Sequence, residues 1–219
     1  MRVARHVRPL RRQGAADVHR SRECAEPAIE VLLLKNNDAT VARAVARIAT
    51  VGAFSTPVTV CGAMPPLWSN VAGYAHATDP ATTGVSRISS PAVLVPANTS
   101  NITLRMSQKF DLEAAYDGAH LLISVNGATA VQVMTFTSGG YINGGQTNPT
   151  TCVLSNVPSM YPGWSGSRTE SVSEVNLSAA PFNVVAGNTV TITFRMTSDS
   201  IISGVGWDIN WVTLSGNSP

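Results

Sequence analysis

The chain has 219 residues, 13% of them charged, and a formal net charge of +2. That length holds one large β-sandwich or two small domains, and few charges with a positive mean hydropathy argue against disorder. Residues 1–57 carry ten Lys or Arg against five acids and residues 58–219 carry five against eight, so the larger part is mildly acidic and a poor fit for nucleic acid.

Residues 1–25 show no apolar periodicity and are expected to pack poorly. They are rich in arginine but lack the apolar core of a secretory signal, and Arg11-Arg12-Gln13 is only faintly similar to a twin-arginine signal. The stretch reads as a targeting peptide, a basic tail or a misassigned start. Ile29, Val31 and Leu33 alternate up to Asn36-Asn37-Asp38, and Val41, Arg43, Val45 and Arg47 alternate after it. A hairpin turning at Asn37-Asp38 is preferred over a helix capped by Asp38. Residues 1–57 are therefore read as an N-terminal extension, partly disordered or hairpin-bearing, and residues 58–219 as the folded domain.

From Phe54 onward, loops rich in Pro, Gly, Ser and Thr separate short β-patterned runs. The clearest is residues 102–112, where Ile102, Leu104, Met106, Phe110 and Leu112 alternate with polar neighbours, as a strand with one buried face requires. Asp117-Gly118 is a turn signal, and Ala119, Leu121, Ile123 and Val125 resume the pattern. The register places Asp111 and Glu113 on the solvent side, near Asp117. Residues 138–170 are poorly patterned, and so long a loop is usually functional or mobile. Val190, Ile192, Phe194 and Met196 share the face of a late strand. In the last strand the inward set shifts from Trp207 and Ile209 to Val212 and Leu214, which predicts a β-bulge at Asn210-Trp211. Six or more such strands predict an all-β, two-sheet antiparallel sandwich. No segment approaches the roughly 20 apolar residues of a membrane span. Cys24, Cys61 and Cys152 lack the spacing of a zinc site, and a Cys61–Cys152 disulfide is one open pairing.

Several segments, in order, carry a family likeness: Ser89-Ser90-Pro91, Tyr116-Asp117-Gly118, Leu122 to Gly127, Gly139-Gly140-Tyr141, Trp164-Ser165-Gly166, and Phe194 to Asp199 with Gly206-Trp207. Over roughly residues 66–215 the chain resembles the MAM-like jelly-roll accessory domain found beside secreted bacterial metallopeptidases of the immune-inhibitor-A type and in related exported proteins. The resemblance implies a jelly-roll-like sandwich that is secreted, non-catalytic and often holds a structural calcium ion. The family usually ends its last strand on Trp-x-x-Asp-Asp, where this chain has Asn210 and Trp211.

The candidate metal ligands are Glu113, Asp117 and Asp111, acids that can converge around one turn, with Asp208 or Asn210 contributing if the last strand pairs nearby. Hard cations such as Ca²⁺ take six to eight oxygen ligands. The competing reading is an Asp117 that only shapes the turn. Tyr141, Tyr161 and Trp164, with Trp211, are candidates for a glycan platform, since aromatic faces pack on sugar C–H groups; for Trp164 and Trp211 core or loop anchoring is the preferred reading. Gly163-Trp164-Ser165-Gly166-Ser167 resembles a nucleophile elbow but has Ser where the second Gly belongs, and the four histidines are scattered, so no catalytic residue is expected. The expected function is a non-catalytic binding or scaffolding module of an exported bacterial protein, extracellular or at the cell surface. It would contact a glycan, a surface or a neighbouring domain. The rivals are a structural subunit of a surface layer, shell or filament, and a fragment of a secreted metallopeptidase lacking its catalytic domain.

Overall fold

The computed structural model describes residues 45–47, 54–55, 58–61, 65–71, 73–142 and 162–217. The predicted hairpin at Asn37-Asp38, the tail 1–25, Tyr161 and Cys152 lie outside the described residues. Within them there is no helix, and twelve strands form two antiparallel sheets, a β-sandwich. The strands are β1 (Val45–Arg47), β2 (Val58–Cys61), β3 (Trp68–Val71), β4 (Tyr74–Ala77), β5 (Gly84–Ser89), β6 (Val93–Leu94), β7 (Ser100–Asp111), β8 (Gly118–Val125), β9 (Val131–Gln132), β10 (Ser167–Asn176), β11 (Thr189–Ser198) and β12 (Gly206–Asn217).

One sheet runs β10-β7-β12-β4-β3 with β1 on β12, and the other runs β2-β5-β11-β8-β9 with β6 on β11. The eight strands β4, β5 and β7–β12 fall into the orders β4-β12-β7-β10 and β5-β11-β8-β9, in which successive strands other than the β8–β9 pair cross between sheets as in a jelly roll.

Period-two patterning decides which faces meet. Ile102, Leu104, Met106 and Phe110 of β7 are buried against the second sheet, whose Leu121, Ile123, Val190, Ile192, Phe194 and Met196 point back. Trp207 is the hub of this core: its ring centroid lies 5.7 Å from Trp68, 5.8 Å from Trp164 and 5.5 Å from Phe194. Phe54, assigned from sequence to the extension, is buried in this core with its ring 5.4 Å from that of Phe194. β1, from the same extension, pairs antiparallel with the end of β12.

The expected bulge is present: the β12–β7 register shifts between Ile209 and Trp211. A second shift, between Arg168 and Ser171 of β10, meets β7 at the same level. The opposite face of β11 is not solvated as simple alternation predicts. Thr193 and Thr197 are buried, with Thr193 Oγ1 2.8 Å from Ser89 Oγ and the Thr197 hydroxyl donating to Gly118 O at 3.0 Å.

Candidate functional site

The turn from β7 to β8 is built backbone first. Asp117 N and Tyr116 N both donate to Glu113 O, at 3.1 and 3.4 Å. Ala115 sits at φ 72°, a left-handed conformation that costs a non-glycine residue about 1–2 kcal/mol. Ser165 holds the turn in place. Its Oγ accepts from Ala115 N at 2.8 Å and donates to Glu113 O at 3.2 Å.

This winding turns Asp117 inward, where it is fully buried rather than solvated. Its Oδ1 accepts from Asp199 N at 2.6 Å, which ties the β7–β8 turn to the β11–β12 loop. The β4–β5 loop brings Asp79 to the same place. Asp79 is buried, and its Oδ2 accepts from Gly204 N at 3.0 Å and Glu113 N at 3.4 Å. A Cβ at Gly204 would collide with Asp111 O and crowd Asp79 Oδ2, so only glycine lets this loop approach.

Four acids from three loops thus meet at one end of the sandwich. One carboxylate oxygen each from Glu113, Asp117 and Asp199 lies within 4.8 Å of the other two, and the Asp79 carboxyl is within hydrogen-bonding reach of Asp117. Asp79 Oδ1, Asp117 Oδ2 and Glu113 Oε2 are buried and find no N–H or O–H donor unless one carboxyl keeps a proton for another. Burial, and then the charge of Asp79, push the Asp117 carboxyl up to about 9. Burial likewise raises Asp79, and burial followed by the charge of Asp199 raises Glu113. Like charges out of water are unfavourable without a counter-charge. A hard divalent cation answers both the charge and the orphaned oxygens, so the residues present fit one.

Of the four metal ligands expected from sequence, the structure brings Glu113 and Asp117 together and separates the others. Asp111 is exposed at the end of β7, and only its backbone oxygen approaches the site, near Gly204. Asn210 donates to Glu170 Oε1 at 2.7 Å on the outer face of the sheet. Asp208 is engaged on that face by His76 and Lys109, at 2.7 and 3.4 Å. The end of the last strand therefore does not reach the turn, because Gly206 rather than Asn210 lies opposite Asp111. Asp79 and Asp199 take those places. Each directly follows a β-patterned run, in Thr78-Asp79-Pro80 and Ser198-Asp199-Ser200, and that position after a strand was the signal available for them.

The expected aromatic platform is corrected as well. Trp164 is fully buried, bridged to Ala119 and packed on Trp207, so it offers no face to a glycan. Tyr141 is half-buried with its ring centroid 4.7 Å from that of Trp164, a wall of the same cluster. Ser165, the serine of the elbow-like motif, is buried under the acidic turn and uses its hydroxyl there. Among the described residues no helix is long and apolar enough to cross a membrane. A scan against protein-family models finds no match, and no curated protein matches the sequence, so the functional reading rests on the site itself.

Proposed function

We propose that this chain is a non-catalytic binding or scaffolding module of an exported protein, with the loop end of its jelly roll braced by a structural divalent cation, Ca²⁺ by the chemistry of its ligands. The observation that carries this reading is that Asp79, Glu113 and Asp117 each bury a carboxylate oxygen without a donor where Glu113, Asp117 and Asp199 converge from two loops. When bound, the cation supplies positive charge and oxygen coordination. The chain supplies the rest: Asp117 and Asp79 hold the loops through Asp199 N and Gly204 N, and Ser165 fixes the turn that presents Glu113.

Extracellular calcium is the medium in which such a brace works. A ligand bound only by the native state stabilises it by RT ln(1 + [L]/Kd), about 4 kcal/mol for micromolar affinity at millimolar calcium. The module's purpose, on this reading, is to present a rigid surface to a glycan, a cell surface or an adjoining domain. The test is thermal melting of the full chain in millimolar calcium and in chelator. A rise of many degrees with calcium supports the reading, and identical curves leave Asp117 as a turn-former without metal.

A further inference from the structure

Two of the β-bulges, one on each strand that flanks β7, open beside Gln108. The β10 register shifts between Arg168, opposite Phe110, and Ser171, opposite Gln108. The β12 register shifts between Ile209, opposite Gln108, and Trp211, opposite Ser107. A bulge adds a residue, re-aims side chains and costs local ladder bonds. β7 and β12 are both interior to the sheet, so protecting an edge does not explain the one in β12.

The bulges bring a set of side chains together on the outer face. Ile209 and Val212 are buried, while Asn210 and Trp211 between them are consecutive and both partly exposed. From the other side the β10 bulge delivers Glu170. Its Oε1 accepts from Ser107 Oγ at 2.6 Å and from Asn210 Nδ2 at 2.7 Å. These two hydrogen bonds hold the carboxyl below its ordinary range, so it is a fixed anion. Further along the face, Asp208 is held by His76 Nδ1 at 2.7 Å and Lys109 Nζ at 3.4 Å, and Lys109 lies 4.7 Å over the Tyr74 ring.

Resting on the binding-module reading above, we propose that this outer sheet face, centred on Trp211, binds a neutral pyranose unit of a glycan. A partly exposed indole next in sequence to Asn210 and opposite Ser107, the two residues that hold the Glu170 carboxylate, suits a sugar: the ring would pack on the C–H face, and Glu170 Oε2 with Asn210 Oδ1 would accept from vicinal hydroxyls. Charge selects among sugars. Glu170 is anionic and the nearby Lys109 is already matched by Asp208, so uronic acids, sialic acids and nucleic acid are repelled while uncharged sugars are not. Rigid strands position these groups, which limits the ordering cost of binding.

The experiment is a screen of the full chain, in calcium, against printed neutral and acidic glycans, with hits measured by calorimetry on soluble β-glucan, xylan, mannan and chitin oligomers. The parent is expected to bind a neutral member of this set and no acidic one. Trp211→Ala should weaken it at least tenfold and Glu170→Gln severalfold, with melting temperatures kept. Should Trp211→Ala not fold, the Trp211 indole N–H resonance of the parent, assigned by Trp211→Phe, must shift on adding the sugar. Absence of any neutral hit, an unmoved Trp211 signal, or affinity unchanged in folded Trp211→Ala overturns the proposal. Calcium-dependent melting is independent of this screen, so a silent screen with intact calcium stabilisation rejects the sugar face alone. Flat melting curves reject the cation-braced reading.

Discussion

Two regions of the molecule treat the same side chain in opposite ways. On the outer face of the β10-β7-β12-β4-β3 sheet three carboxylates have partners. Asp208 is held by His76 and Lys109, Glu170 by Ser107 and Asn210, and Glu174 by Arg105 at 3.2 Å. Asp208 and Glu170 are accordingly held below their ordinary range, Glu170 by its hydrogen bonds and Asp208 by His76 and Lys109 against its burial. At the loop end Asp79, Glu113, Asp117 and Asp199 face one another with no Lys or Arg ion pair among the described residues, and the first three are pushed up by burial and by mutual repulsion. A sheet that spends Lys109 and Arg105 on its outer face and no cation on its buried acids is electrically incomplete at one end only. On the proposed reading, a cation from outside the chain closes that difference.

The largest effect sets the scale for both regions. Phe194 is fully buried between Phe54 and Trp207, so Phe194→Ala should cost about 3–5 kcal/mol. Because one core underlies both regions, far-UV circular dichroism and tryptophan fluorescence should report a single shifted transition. Two separate transitions would show that the loop end and the sheet face unfold independently.

Next comes a change of sign at the loop end. In chelator, Asp117→Asn removes a buried carboxyl and gives Asp79 an N–H donor, so it should stabilise the fold by about 1–3 kcal/mol. In calcium the same replacement removes a charged ligand and should destabilise it relative to the parent. Denaturant titration in both buffers checks this, and the same sign in both would remove the cation from the account.

His120 gives a pH prediction away from the acids. It is fully buried on β8, and burial, with the charge of Arg195 beside it, holds it well below its ordinary 6.5. The native state then binds fewer protons than the unfolded chain below pH 6.5. Its contribution is complete above that pH and is lost as pH falls toward the depressed native value, by at most about 1.4 kcal/mol per pH unit. His120→Gln should flatten that limb of the stability–pH curve, and an unchanged slope would assign the acid limb elsewhere.

The smallest effect belongs to the sheet face. Glu170 is exposed, so Glu170→Gln should cost under about 1 kcal/mol whether or not calcium is present. A loss that depended on calcium would mean the two regions are coupled.

Much of the sandwich is legible in the sequence, because period two is a local property. The alternation of residues 102–112 gave β7, and the parity change after Ile209 gave the β12 bulge. The site was legible by half. Glu113 and Asp117 flank one turn and are visible as a pair, while Asp79 and Asp199 lie in other loops and reach Asp117 only through the order in which strands cross between sheets. Asp117 reads from sequence as a turn residue near two solvent-side acids, and its burial depends on the β11–β12 loop, whose Asp199 N donates to it. For Trp164 the sequence leaves a ligand face beside the preferred core anchor, and the bridge to Ala119 that seats it in the core decides for the anchor.

The central claim is that the acids at the loop end are complete only with a cation. Calorimetric titration of the chelator-stripped full chain with Ca²⁺ tests it most directly. The account predicts one saturable site per chain that is abolished when Asp79→Asn and Asp117→Asn are combined and untouched by Asp111→Asn. Heats indistinguishable from dilution in the folded parent, or a site that survives the double replacement, would contradict it.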